Sequence, residues 1–509
     1  MFKPIKMTLS SSALTSTTWS LRSLRSSWCL ALAFGVTGLQ LAGCTVGPDY
    51  HRPEPMAVTS LTRESLNVMR TAAADEISEQ WWQAYGSTRI NLLVAQALSR
   101  NPSVDAGLAN LKAAQEMVNA QRGLFYPSVQ AGLSATRQNP GVVIAPPLNA
   151  GSTIFNLRTA QLNVGFVPDV FGGNRRQVES LQAAATSQKY QLDALKITLA
   201  SNVVAAAIQE SLLSEQIGIA QNAIRVAGEQ LQQLKGLNAA GYSSGLDLAQ
   251  QQVAYAQAVA LLPPLQKQIE QTRNLLAVLC GTLPAQQLPG NALDVVRLPA
   301  ALPTIVPSSL VERRPDVQAA QEQLHASNAQ IGVAVANMLP QISLSANLAY
   351  NSNAMTSLLS NGSKSWGLLG GLTQPLFAGG ALLARKRGAE ATAEAAGAQY
   401  RSVVLTAFQN VADTLYALES DGRSLDATRD VESANQQLLG HTQRQFDQGY
   451  SSRLVLLAAQ QSFLQSQLAR VASNAAYLSD TVALYQALGG GWRGPQAAAE
   501  LSAKPVALH

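Results

Sequence analysis

One plan is written twice along this chain, and that repetition limits its architecture more than any other feature. Asn101-Pro102-Ser103-Val104 through Leu124-Phe125-Tyr126-Pro127-Ser128-Val129 is answered by Arg314-Pro315-Asp316-Val317 through Asn337-Met338-Leu339-Pro340-Gln341-Ile342. Val170-Phe171-Gly172-Gly173 is answered by Leu376-Phe377-Ala378-Gly379, and Gly241-Tyr242-Ser243-Ser244 returns unchanged as Gly449-Tyr450-Ser451-Ser452. Three landmarks in one order at nearly constant offset mark an internal duplication. The repeats span 81–300 and 301–492, behind an extended segment at 44–80 and ahead of a tail at 493–509.

Each repeat holds two segments of period two. Val129, Ala131, Leu133 and Ala135 alternate with Ser, Gln, Gly and Thr over 128–137, and Ala160, Leu162, Val164 and Phe166 alternate with polar neighbours over 158–167. In the second repeat Ile342, Leu344, Ala346, Leu348 and Tyr350 alternate over 341–350; the segment at 364–374 is weaker because Leu369 breaks the pattern. Such strands have one apolar and one polar face. An uncharged polar face suits either a half-buried soluble sheet or an outer-membrane barrel with a wet lumen. The Pro- and Gly-rich stretch at 138–157 and Asn361-Gly362 within 351–363 read as the longer outer loops of such a barrel.

The helical segments are long. No proline lies between Pro168 and Pro263 or between Pro375 and Pro495. Leu213, Ile217, Ala220, Ile224, Ala227, Leu231 and Leu234 step alternately by four and three, as do Val404, Phe408, Val411, Leu415 and Leu418, and again Leu464 through Val482. That is a coiled-coil seam. The predicted hairpins turn near 236–246 and 446–453, where each Gly-Tyr-Ser-Ser supplies a left-handed turn and a cap for the next helix.

Counting strands forces assembly. Two hairpins give four strands per chain, and closed membrane barrels start at about eight. Open edges do not survive in hydrocarbon. Two chains would give eight strands with a side-chain-filled interior and three would give twelve, so a conducting role favours three.

The first 43 residues are an address. Lys3, Lys6, Arg22 and Arg25 precede an apolar run from Trp28 to Leu41, the order of a secretory signal, with Met7 a second possible start. They carry four of the five net positive charges, so the mature chain is near neutral and offers no basic patch to nucleic acid. Leu41-Ala42-Gly43-Cys44 resembles a lipobox, which implies a lipid on Cys44, and Thr45 behind it fits sorting to the outer membrane. Cys29 leaves with the signal, so Cys280 has no disulfide partner and reads as a small buried residue.

Catalytic chemistry is not legible. Gly241-Tyr242-Ser243-Ser244-Gly245 matches a nucleophile-elbow pattern, but it lies between two helices rather than on a strand-to-helix turn. His51, His325, His441 and His509 show no metal-ligand spacing, and no phosphate-cradling loop is present. The reading is of a non-enzyme with no metal and no cofactor beyond the lipid, whose transport energy comes from a partner. A periplasmic coiled-coil lipoprotein scaffold and a lipid-anchored hydrolase using Ser243 are the rival classes.

The whole mature chain resembles the outer-membrane factors of bacterial tripartite efflux systems, the TolC-like family, in its OprM and NodT-type lipoprotein branch. The resemblance is carried by the lipobox with Thr45-Val46-Gly47-Pro48-Asp49-Tyr50, Trp81-Trp82, Pro168-Asp169-Val170-Phe171-Gly172, Gly245-Leu246-Asp247-Leu248-Ala249-Gln250 and Leu484-Tyr485-Gln486-Ala487-Leu488-Gly489-Gly490-Gly491-Trp492. It implies a mixed α and β membrane protein: a homotrimer with a twelve-stranded barrel in the outer membrane and a long periplasmic α-helical barrel. It further implies a periplasmic adaptor and an inner-membrane pump of the RND type as partners, and passive conduction of drugs or other toxic compounds. A duct for protein or peptide secretion is the alternative. Gly241, Tyr242, Ser243, Gly449, Tyr450 and Ser451 become candidate adaptor contacts. Some relatives carry gating aspartates where this chain has Ser451 and Ala458; Asp247 and Arg453 are the nearest gate candidates, each also readable as a solvated helix-start residue.

Overall fold

A computed structural model describes residues 45–54, 71–73, 78–139, 154–289, 302–305 and 313–491. Cys44, the signal at 1–43, the loop residues 140–153, Trp492 and the tail lie outside the described residues. The chain divides into two compact units, one containing Ser128–Gly173 and Leu339–Pro375, the other Gly47–Pro127, Asn174–Met338 and Leu376 onward.

The first unit is a four-stranded antiparallel sheet. Its strands are β2 (Ser128–Gln138), β3 (Phe155–Phe166), β5 (Gln341–Ser352) and β6 (Lys364–Thr373), in the order β2-β3-β5-β6. Each repeat contributes one hairpin, and the hairpins meet where β3 pairs with β5. Pro127, Pro168, Pro340 and Pro375 stand outside the strand ends, where a missing N–H costs no ladder bond.

The second unit is helical: α1 (Thr88–Arg100), α2 (Pro102–Gly123), α3 (Gly173–Ala239), α4 (Gly245–Leu279), α5 (Pro315–Ala336), α6 (Ala381–Asp447) and α7 (Arg453–Ala487). Asn101 ends α1 and caps α2, its side chain accepting from Ser103 N–H at 2.8 Å, with Pro102 at the first helical position. Pro315 likewise takes the first helical position of α5, there without a side-chain cap. α3 and α6 each run 67 residues, about 100 Å at 1.5 Å per residue. The four–three seam is the packed one: Leu213, Ala220, Leu231 and Leu234 of α3, Val404, Val411, Leu415 and Leu418 of α6, and Val471, Ala475, Leu478 and Val482 of α7 are buried. α4 continues unbroken through Pro263-Pro264, which the proline-free spans did not foretell. α3 is long and apolar enough to cross a bilayer, but more than half of its most apolar window is buried inside the protein.

The core gathers where the helices of both repeats meet. Trp81 stacks on Tyr485 with centroids 5.1 Å apart, and the Tyr85 hydroxyl lies 2.6 Å from that of Thr481. Two short parallel strands, β1 (Thr71–Ala73) and β4 (Leu302–Ile305), pair the N-terminal segment with the start of the second repeat.

Candidate functional sites: the open sheet and the hairpin tips

The sheet's register sorts its side chains. Residues directly opposite in neighbouring strands share a face. Leu133 faces Ala160, Val164 faces both Val129 and Ala346, and Leu344 faces Phe166, so Leu133, Val164 and Leu344 lie on one side. Ser134 faces Thr159, Asn163 faces Asn347 and Ser343 faces Gly371, placing those three on the other. The apolar side is open: Leu133 is 69% and Leu368 77% exposed in the single chain. Across the polar side the Thr159 hydroxyl donates to Asn351 at 2.8 Å, and the Asn351 amide donates to Ser365 at 3.2 Å. Leu369, which blurs the alternation of β6, sits opposite Ser345 on the polar side, so the strand keeps its register with one leucine misplaced by type. Among the described residues, the outer edges of β2 and β6 have no partner strand.

The two helix hairpins reverse through one geometry. Gly241 has φ +78°, its N–H donates to Asn238 O at 3.0 Å, and the Tyr242 N–H donates to Leu237 O at 2.8 Å. Gly449 has φ +79°, with Gly449 N–H to Phe446 O at 2.9 Å and Tyr450 N–H to Gln445 O at 2.8 Å. These are paired Schellman turns, in which a left-handed residue satisfies the last helical carbonyls. Tyr242 and Tyr450 are each 83% exposed.

Beyond the turn the tips differ. Ser244 caps α4 by accepting from Asp247 N–H at 3.0 Å, while the Asp247 carboxylate accepts from Ser244 N–H at 3.3 Å. This is a complete capping box. Ser243 stands one residue too early to cap; its carbonyl accepts from the Asn238 amide at 2.8 Å. Ser452 holds the N-cap position of α7 without a side-chain cap bond, and Val455 stands where Asp247 stands in the first tip. Ser451 precedes it. The Arg453 guanidinium lies 5.1 Å over the Phe446 ring, a cation–π contact across the turn. Asp247 thus completes the capping box of α4, and Arg453, at the start of α7, sits over the Phe446 ring.

Residues tied to other chemistry are placed plainly. Cys280 is fully buried, its thiol donates weakly to Leu93 O at 3.6 Å, and burial pushes its pKa up to about 11. A thiol so hard to ionise is a poor nucleophile. Among the described residues no group of three or more His, Cys, Asp or Glu has the geometry to hold a metal.

Three polar arrangements were not foreseen from sequence. Behind Cys44, Gly47 approaches Gly332 so closely that a Cβ on it would clash with the Gly332 backbone, and Asp49 pairs with the buried Arg176 at 2.6 Å. Tyr50 stacks on His325 with centroids 4.3 Å apart. Elsewhere Glu210, buried, lies between Arg89 at 2.9 Å and Arg273 at 3.0 Å. Asp480 of α7 lies beside Asp421 of α6, and burial together with that neighbour raises the Asp480 pKa to about 6. Partners this distant in sequence leave no local signal.

The family model for outer membrane efflux proteins matches residues 93–282 and again 306–490, one match in each repeat. The chain is 30% identical over 464 residues to the probable efflux pump outer membrane protein TtgC of Pseudomonas putida, covering 91% of this chain and 95% of that one. The solved structure of the outer-membrane channel OprN aligns with a TM-score of 0.80 and 28% identity, over 88% of this chain and all of the other. The Campylobacter jejuni CmeC outer membrane channel shares the fold, with a TM-score of 0.83 at 20% identity over 91% and 98% of the two chains.

Proposed function

The chain belongs to the outer membrane efflux protein family, and on that premise we propose how it works: three copies close one barrel in the outer membrane and conduct small toxic compounds from the periplasm to the exterior. It is the outer-membrane component of an efflux pump. The observation that carries the assembly is the sheet: four strands, an apolar face left open, and two unpaired outer edges. Unpaired backbone groups each cost several kcal/mol in hydrocarbon, roughly the cost of an unmade hydrogen bond there, so the edges must meet other copies. Twelve strands leave a lumen, and the Ser, Thr, Asn and Gln side of the sheet suits its wet wall.

The partners follow from the same reading. A periplasmic adaptor meets the hairpin tips through Tyr242 and Tyr450, and an inner-membrane pump of the RND type supplies the energy. Cys44 carries the lipid. The names of the relatives favour efflux over a protein-secretion duct.

The test is complementation of a strain lacking its own outer-membrane channel, with the cognate adaptor and pump supplied. Restored extrusion of a fluorescent pump substrate is expected. The double variant Tyr242→Ala, Tyr450→Ala should keep the trimer while weakening adaptor crosslinking and extrusion together. Substrate accumulation that is the same with and without the chain would remove the efflux reading; unchanged crosslinking in the double variant would reduce the tips to turns.

A further inference from the structure

We infer that the seam between copies joins β6 of one chain to β2 of the next in one definite register, with Leu369 opposite Thr136, Gly371 opposite Ser134 and Leu372 opposite Leu133. The inference rests on the trimer reading and adds to it the surface through which a second copy docks.

The first argument is parity. On β6, Trp366, Leu368, Gly370 and Leu372 share the apolar side with Leu348, Ala346, Leu344 and Ile342 of β5. On β2, Val129, Ala131, Leu133 and Ala135 share that side with Val164, Leu162, Ala160 and Arg158 of β3. A seam shifted by a single residue would turn one copy's apolar side toward the other's polar side, because side chains alternate with period two. Only registers that differ from one another by two residues survive.

The duplication chooses among these. Ser128 of β2 corresponds to Gln341 of β5, since each follows the matched proline, Pro127 or Pro340. α3 begins at Gly173 and α6 at Ala381, two residues later than the match of Val170-Phe171-Gly172-Gly173 to Leu376-Phe377-Ala378-Gly379 would put it; both helices run 67 residues and both end in the matched Gly-Tyr-Ser-Ser turns, so the helix starts, not the loops before them, carry the count. The hairpins obey the same correspondence: β2 pairs Ser128 with Gly165, β5 pairs Gln341 with Thr373, and Gly165 and Thr373 stand equally far before those two helix starts. Within the chain, Phe166 of β3 pairs with Leu344 of β5 and Val164 with Ala346. Carrying that junction forward by one repeat sets Leu372 against Leu133 and Gly370 against Ala135. Every hairpin then climbs its neighbour by the same four residues, whether the neighbour is in the same chain or the next. A closed sheet needs a stagger that returns on itself, and equal steps at all six hairpins provide it.

Cysteine pairs on the lumen side test the register in the full-length protein in its membrane. Leu369 is 70% exposed on that side of the single chain, so a cysteine there meets little resistance from its own copy. Leu369→Cys with Thr136→Cys should give, under copper-phenanthroline oxidation, several-fold more covalent trimer than Leu369→Cys with Ser134→Cys or with Gln138→Cys. Each single variant should give none, because Cys280 is buried. A higher or equal yield from either shifted pair overturns the register. No crosslink from any pair in a protein that still purifies as a trimer overturns the β6–β2 seam itself. A native mass that is not trimeric instead defeats the reading on which the seam depends.

Discussion

Single residues decide how the hairpins turn and how α6 and α7 respond to pH. At the tips, a Cβ added to Gly241 or Gly449 would touch nothing within 4 Å, so the case for glycine there is the left-handed backbone alone. The caps separate the two tips further. Ser244→Ala should cost about 1 kcal/mol, the usual worth of an N-cap, while Ser452→Ala, which removes no cap bond, should cost little. Thermal unfolding of the two solubilised variants beside the parent checks this. Asp480 behaves differently because its folded-state pKa of about 6 exceeds the ordinary carboxylate value of 3.8. Below about pH 4 the folded and unfolded chains both hold the proton and the group contributes no pH-dependent penalty. As pH rises toward about 6 the unfolded chain ionises while the folded chain still holds the proton, so folding loses stability, and the loss is complete above that value. Asp480→Asn should therefore raise the unfolding temperature near about pH 8 and leave it unchanged near about pH 4. Equal shifts at both pH values would detach the effect from the carboxyl pair.

Elements carry the division between lipid and lumen. The alternation in β2, β3 and β5 was legible because a strand in a barrel wall meets two different solvents, and each side chain records which. β6 was less legible: Leu369 stands on the polar side, and only its pairing with Ser345 fixes that. If the apolar side faces lipid, Leu344→Arg near mid-membrane should cost about 2–4 kcal/mol, and Ser343→Arg on the other side far less. Trimer yield in the outer membrane and its heat resistance report the difference; equal damage from the two variants would reverse or void the assignment. The long helices were legible from the four–three seam, which is the buried line on α3, α6 and α7. The passage of α4 through Pro263-Pro264 was not, since packing along a long helix outweighs the hydrogen bonds that two prolines remove.

At the scale of the whole molecule, a chain with half-built edges gains a closed structure only by meeting copies of itself. The lipid proposed for Cys44 would be an accessory to that, because a spanning barrel holds a protein in the membrane more firmly than one acylated residue. Cys44→Ser should accordingly abolish fatty-acid labelling while the barrel still inserts, with labelling of mature protein and membrane fractionation as the two readouts. The sequence by itself determined what recurs at short spacing: the duplication, the period-two strands, the four–three helices and the glycine turns, each set by interactions between near neighbours. The tertiary structure alone decided what joins distant residues, among them Asp49 with Arg176, Glu210 between Arg89 and Arg273, Asp480 with Asp421, and β3 beside β5. Those partners meet because helices and strands pack side by side, and packing brings together residues that no spacing in the chain connects.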